Sequence, residues 1–192
     1  MSIADDKRAL RAAAKTARAA AKLAAPEAAL RLAERFLAHV PLADGEAVGG
    51  YWPIGDEIDV LPLLAALHAR GRALALPVVE GPGRPLTFRA WRPGDAMAAG
   101  AHGIAAPLPA ADIRVPGLLI VPLLAFDRRG WRLGYGAGYY DRTMEAYAAA
   151  GRACRAVGVA YAAQEAPAVP HDDGDAPLDA VVTEAAVHWF KD

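Results

Sequence analysis

Residues 5–39 set alanine and basic residues at helical spacing, interrupted once at Pro26. Proline is tolerated in a helix's first turn, so the pattern predicts two helices with Pro26 starting the second. The texture then changes: Ala47-Val48-Gly49-Gly50-Tyr51-Trp52 has the apolar density of a short buried strand, closed by Pro53 and Gly55. Ile58, Leu61, Leu64, Ala65 and Leu67 recur at helical period within 57–70, and Gly71 ends that helix. Residues 72–79 read as a second strand, and 85–91 alternate in the manner of a half-exposed third. The most apolar run, 117–126, has the length and texture of a central strand covered on both faces. Pro122 cannot donate to a ladder, so that strand is expected to end or bulge there. A glycine-rich loop follows, then a helix over 139–150 stopped by Gly151, and short strands over 157–161 and 180–183.

Strands alternating with helices imply an α/β fold: three layers, Rossmann-like in the loose sense, with a mostly parallel central sheet and helices on both faces. No internal repeat or low-complexity linker divides the 192 residues, and one domain over 1–192 is expected. Composition adjusts this picture only slightly. The hydrophobic fraction of 55% is ample, but much of it is alanine, so the core is lean in volume. With 21 basic and 22 acidic residues the net charge is −1, whereas nucleic-acid binders are usually strongly basic. Cys154 is a single cysteine and forms no intramolecular disulfide or zinc cluster. The first residues carry no apolar signal core, and no run of about 18 apolar residues occurs. The expectation is a soluble, cytoplasmic protein with no nucleic-acid or membrane partner, monomeric or weakly homo-oligomeric.

Candidate chemistry concentrates in residues 127–142, between the apolar strand and the next helix. In a parallel sheet such strand ends open onto the ligand crevice. Gly134, Gly136 and Gly138 let backbone approach a phosphate, and the following helix N-terminus adds free N–H groups. Arg132 and Arg142 bring charge suited to phosphate oxygens. The spacing Gly-x-Gly-x-Gly is neither the dinucleotide fingerprint nor a P-loop. A tight connection needing only glycine conformations remains the alternative, against which stand the clustered Arg132, paired tyrosines and Asp141.

Arg132-Leu133-Gly134-Tyr135-Gly136-Ala137-Gly138-Tyr139-Tyr140-Asp141 closely resembles the signature of the 5-formyltetrahydrofolate cyclo-ligases, also called methenyltetrahydrofolate synthetases. The resemblance covers most of the chain. It takes in Lys7-x-x-Leu10-Arg11, Asp56-Glu57-Ile58-Asp59, Gly103-Ile104-x-x-Pro107, Val157 to Tyr161 with Gln164, and Leu178 to Glu184. Ala137 stands where the family has glycine or lysine, and Gly174-Asp175 where it has a His-Asp pair. The resemblance implies ATP-dependent cyclisation of 5-formyltetrahydrofolate to 5,10-methenyltetrahydrofolate, with ATP as co-substrate and Mg2+ as cofactor. Its non-catalytic rival is a nucleotide- or folate-binding paralogue of the same fold. A kinase or ligase for another small acceptor would keep the loop without needing Glu57.

By the same resemblance, Lys7, Arg11, Arg132 and the loop residues Gly134, Tyr135, Gly136, Ala137, Gly138, Tyr139 and Tyr140 bind ATP. Arg132, Tyr139 and Asp141 are the catalytic candidates. Lys15, Arg18 and Lys22 continue the basic stripe of Lys7 and Arg11 at helical spacing and are read as a solvated face. Glu57 is either a first-turn acid stabilising a helix or, as the resemblance implies, the acceptor for a pterin's adjacent N–H donors. Trp52 would wall that substrate site. Asp141 and Asp179 are the candidate magnesium ligands, since Mg2+ takes one or two carboxylates plus substrate phosphates. Asp179 rests on the resemblance and could equally cap a strand turn.

Overall fold

The computed structural model describes residues 2–190. Helix α1 (Ile3–Ala24) begins with a capping box between Ser2 and Asp5, and α2 (Ala28–His39) follows. Pro26 lies in the intervening turn rather than at the first position of α2, whose N-cap is Glu27. The turn is closed by the Ala28 N–H donating to Ala25 O at 3.0 Å.

Strand β1 (Val48–Gly49) is shorter than the apolar run suggested, and α3 (Leu61–Ala69) begins four residues later than its periodicity did. Proline in its first turn and the Asp59 carboxylate, which accepts from the Leu61 N–H at 2.9 Å, fix that start. Glu57 is therefore not a first-turn acid: it sits in the loop ahead of the helix. Next come β2 (Leu74–Val79) and β3 (Leu86–Trp91), then a hairpin of β4 (Met97–Ala99) and β5 (Ala105–Pro107). Strand β6 (Leu118–Pro122) ends at its proline, as a residue without an N–H requires. The rest of that apolar run turns away into a second hairpin, β7 (Ala125–Phe126) and β8 (Arg132–Leu133). The chain closes with α4 (Tyr139–Ala149), β9 (Arg155–Val159), β10 (Ala180–Val182) and β11 (Val187–Trp189).

The main sheet has seven strands in the order β11-β10-β9-β6-β1-β2-β3. Its inner ladders are parallel, and the outer strands β3 and β11 are antiparallel to their neighbours. Alternation along β6 divides the core. Leu118 and Ile120 pack with Leu32 and Phe36 of α2 and Leu63, Leu64 and Leu67 of α3. Leu119 and Val121 face the layer holding Tyr140, Met144 and Tyr147 of α4. The result is the three-layer arrangement expected. Each large side chain so buried is worth roughly 1.5–3 kcal/mol. Among the described residues no helix is long and apolar enough to cross a membrane.

A third cluster explains the position of α1. Leu10 and Ala14 pack against Leu124, Ala125, Leu133 and Val169, pinning the N-terminal half of the helix onto the β7–β8 hairpin. That hairpin is in turn held by the buried Asp127. Its carboxylate accepts the N–H groups of Arg129 and Val169 at 2.9 Å and Trp131 at 3.2 Å. Burial alone would raise this carboxyl, but the Val169 amide, the Arg129 guanidinium and the other amides outweigh it and hold the group below 3.8.

Asp127→Ala leaves three amides without their acceptor and is expected to cost about 2–3 kcal/mol in urea unfolding. Because the native carboxyl is depressed, its contribution is full above the ordinary value of 3.8 and disappears as pH falls below it. The gap between wild type and variant should therefore close on acidification. A gap that stays constant down to pH 3 would show that the carboxylate charge is not what stabilises the hairpin.

Candidate active site

A cleft of about 290 Å3 opens at the C-terminal ends of the parallel strands. Tyr51 and Trp52 beyond β1, Pro77 and Val79 of β2 and Pro122 of β6 form its floor and walls. The glycine loop, α1 and the tip of the β4–β5 hairpin close its sides. Of the residues singled out from sequence, Lys7, Arg11, Trp52, Glu57, Arg132, residues 134–140 and Asp141 all line it.

The loop owes its shape to two glycines. Gly136 (φ 102°) and Gly138 (φ 66°) occupy the left-handed region, and Gly138 is the N-cap of α4. Ala137 does not: His102 is the one non-glycine residue with positive φ among those described. Alanine between the glycines thus carries no backbone strain. Arg11 reaches the loop from α1, its Nε donating to Gly134 O at 3.0 Å. A Cβ at position 136 would lie 3.2 Å from Arg11 Nη2, and one at 138 would lie 2.7 Å from Arg142 Nη1. The glycines therefore make room for guanidinium groups as well as for a turn.

Arg132 is engaged within the protein. Its Nη2 donates to Asp141 Oδ1 at 2.7 Å and its Nη1 to the Ala176 carbonyl, and only 6% of its side chain is exposed. Asp141 Oδ1 also accepts the Ala176 N–H at 3.2 Å. Lys7 Nζ lies 2.6 Å from both Asp172 Oδ2 and Asp175 Oδ2. Burial of Lys7 would lower its pKa, but the two carboxylates prevail and raise it, so the ammonium stays charged at neutral pH.

Glu57, which is 6% exposed, lines the cleft beside Tyr135 of the glycine loop. Its Oε2 accepts the Ile54 N–H at 3.0 Å. Burial pushes the carboxyl above the usual range, opposed by that amide, the Tyr135 hydroxyl and the charge of Arg18. Tyr135 is raised to about 12, first by burial and then by Glu57, and burial raises Tyr140 further still. Both are neutral hydroxyls at physiological pH. Trp52 stands edge-on to Trp91, ring centroids 6.3 Å apart.

Asp179 is not brought to the cleft. It directly precedes β10, where its Oδ2 accepts the Ala156 N–H at 2.7 Å, at the N-terminal end of the parallel strands and so on the far edge of the sheet. Asp175 lines the cleft instead. Among the described residues no group of three or more His, Cys, Asp and Glu is placed to hold a metal ion. Arg18 also departs from expectation: it is 5% exposed, not part of a solvated face, and its guanidinium lies 5.4 Å from the Tyr135 ring centroid. The periodicity of α1 contained this signal, because Arg18 falls on the stripe of Arg11, Ala14 and Ala21. Ala101 and His102, at the tip of the β4–β5 hairpin, are further cleft residues that sequence reasoning did not single out, and Ile104, quoted there only for its resemblance, lines the cleft beside them. Their hairpin is too short for a periodic signal.

Comparison with known proteins agrees with this architecture. In amino-acid sequence, the chain is 39% identical over 136 residues to the 5-formyltetrahydrofolate cyclo-ligase of Mycolicibacterium smegmatis, covering 67% of this chain and 70% of the relative. The enzyme of that name from Escherichia coli is 31% identical over 163 residues, 81% and 87% of the two chains. Among solved structures, Aquifex aeolicus 5,10-methenyltetrahydrofolate synthetase superimposes with a TM-score of 0.80 at 29% identity, covering 97% of this chain and 93% of the other. The synthetase of Mycoplasma pneumoniae, at 20% identity and a TM-score of 0.71, shares the fold. The model of the 5-formyltetrahydrofolate cyclo-ligase family matches residues 3–184, and the chain belongs to that family.

Proposed function

We propose that this cleft closes the ring of 5-formyltetrahydrofolate to give 5,10-methenyltetrahydrofolate, using ATP and releasing ADP and phosphate, and that residues 1–192 act as one catalytic unit. The observation that carries the assignment of sides is the polarity of the cleft. Two cations of α1 and a helix N-terminus stand along the glycine loop, and the buried Glu57 carboxylate is held between the Ile54 amide and the Tyr135 hydroxyl.

The chemistry asks for that division. A formyl oxygen on N5 is a very poor leaving group. Its attack on the γ-phosphorus expels ADP and converts the oxygen into a phosphate ester. N10 then adds to the activated carbon, phosphate departs, and loss of the N10 proton leaves the methenyl bridge. The folate supplies its own nucleophile, so the protein's work is positioning and charge neutralisation. Lys7, Arg11 and the N–H groups at the start of α4 are the groups proposed to receive phosphate charge. Arg132 fixes Asp141, with Tyr139 and Tyr140 shaping the floor beneath. Glu57 accepts from the pterin's ring N–H and exocyclic amine, and Trp52 walls that end.

For magnesium, the donor set fits the cation's habits. Mg2+ keeps several waters and needs one or two carboxylates beside phosphate oxygens. Asp141 and Asp175 both line the cleft. Their hydrogen bonds fall on Asp141 Oδ1 and Asp175 Oδ2, which leaves the other oxygen of each for a cation. A bound ion there would supply charge compensation for the phosphates. Asp175 therefore replaces Asp179 as the second proposed ligand. Cytoplasmic location and a monomeric or weakly associated state complete the reading.

Two experiments test it. Asp175→Asn should raise the KM for ATP about tenfold, the loss of roughly 1.4 kcal/mol of binding. Asp179→Asn should leave that KM unchanged and lower thermal stability instead. The reverse pattern would return the metal role to Asp179. Separately, Glu57→Gln places an amide donor against the pterin's donors. Calorimetric affinity for 5-formyltetrahydrofolate should drop by about 1.5–3 kcal/mol, while ATP affinity measured alone stays within twofold, roughly 0.4 kcal/mol. Folate binding as tight as in wild type would remove Glu57 from the substrate site.

A further inference from the structure

Arg18 is a cation in an unusual place. It projects from the face of α1 that carries the buried Ala14 and Ala21, is 5% exposed, and has neither Nε nor Nη1 hydrogen-bonded. Buried guanidinium N–H groups without acceptors are costly, and a purely packing role at this position would be met by an apolar side chain. What the guanidinium does meet is the ring of Tyr135, 5.4 Å from its carbon to the centroid. Tyr135 and Glu57 both line the cleft, and Arg18, which does not, lies against the Tyr135 ring. Its charge acts on both groups.

We propose that Arg18 is a positioning residue for the folate side of the cleft, holding the Tyr135 ring by a cation–π contact and supplying the countercharge for the buried Glu57 carboxylate. This rests on the reading of Glu57 as the folate acceptor. Without Arg18 the burial of Glu57 is opposed only by the Ile54 amide and the Tyr135 hydroxyl, so the carboxyl takes up a proton more readily. The other titratable groups facing it are Tyr51, Tyr135 and Tyr140, from the segment after β1, the glycine loop and α4. All three are raised and carry no charge near neutrality, which leaves Arg18 as the cation that sets the state of Glu57. The sign follows: folate affinity is present above the Glu57 pKa and lost as pH falls through it. Removing Arg18 moves that loss to higher pH.

The test is calorimetric binding of 5-formyltetrahydrofolate alone, and of ATP alone, between pH 5.5 and 8.5. Wild type is compared with Arg18→Met, Arg18→Lys, Glu57→Gln and the Arg18→Met/Glu57→Gln double variant. Arg18→Met should bind folate about tenfold or more weakly at pH 7, recover part of that loss at pH 8.5, and lose less affinity for ATP, to whose loop Tyr135 belongs, than for folate. Arg18→Lys, which keeps the charge, should restore the wild-type pH limb. In the Glu57→Gln background, Arg18→Met should cost less folate affinity than it does in wild type and show no shift with pH, since no carboxylate remains to be kept charged and only the Tyr135 contact is lost. If Arg18→Met does not fold, Arg18→Gln carries the same comparison. An unshifted pH limb, or an equal loss in the Glu57→Gln background, would reduce Arg18 to packing and overturn the proposal. Wild-type folate affinity in Glu57→Gln would instead overturn the reading of Glu57 itself.

Discussion

The ion pair between Arg132 and Asp141 is the contact on which the cleft depends. It joins the β7–β8 hairpin to the first turn of α4, and both partners also bond the backbone of Ala176, 35 residues beyond Asp141. Three segments far apart in sequence are thereby fixed at one corner of the sheet. Breaking a largely buried pair by removing one partner leaves an uncompensated charge, a loss on the order of 3–5 kcal/mol in known cases. Arg132 is thus a residue of architecture first. Through Ala176 it also places Asp175 in the cleft, where that carboxylate meets Lys7.

The electrostatic labour of the cleft is shared among separate groups. Along the loop, Lys7 and Arg11 are delivered by α1, whose own docking is apolar: Leu10 and Ala14 against the hairpin that Asp127 stabilises. Ala14 and Ala125 at this seam sit among larger leucines, and the docked helix carries Arg11 to Gly134 O. Glu57 is held in a loop rather than a helix turn, so its orientation comes from the Ile54 amide, and its ionisation is governed by burial and by groups on two other segments, Tyr135 and Arg18.

Much of this was legible in the order of residues. Alternating strand and helix patterns gave the layered sheet, Pro122 marked the end of its central strand, and the glycines announced the loop beside α4. Strand direction was less accessible: β3 and β11 run antiparallel at the edges, and apolar patterning carries no sign of direction. A separate matter was which end of the sheet two aspartates reach. Asp175 and Asp179 are four residues apart, and only the direction of β10 shows that Asp179 falls on the far edge of the sheet. The start of α3 depended on Pro62 and the Asp59 side chain, local chemistry that outweighs periodicity. Arg18 was hidden for another reason: a basic residue on a helix reads as solvated unless its whole stripe is traced against the buried alanines.

Gly136 and Gly138 each leave a space that an arginine fills, Arg11 from α1 and Arg142 from α4. The glycine signature is therefore partly a cast of the protein's own side chains, and its spacing records where two guanidinium groups must lie. Substitution at either glycine meets two obstacles, a left-handed backbone and a guanidinium group that must move aside. The loop's shape then belongs to pairs of residues rather than to the glycines alone.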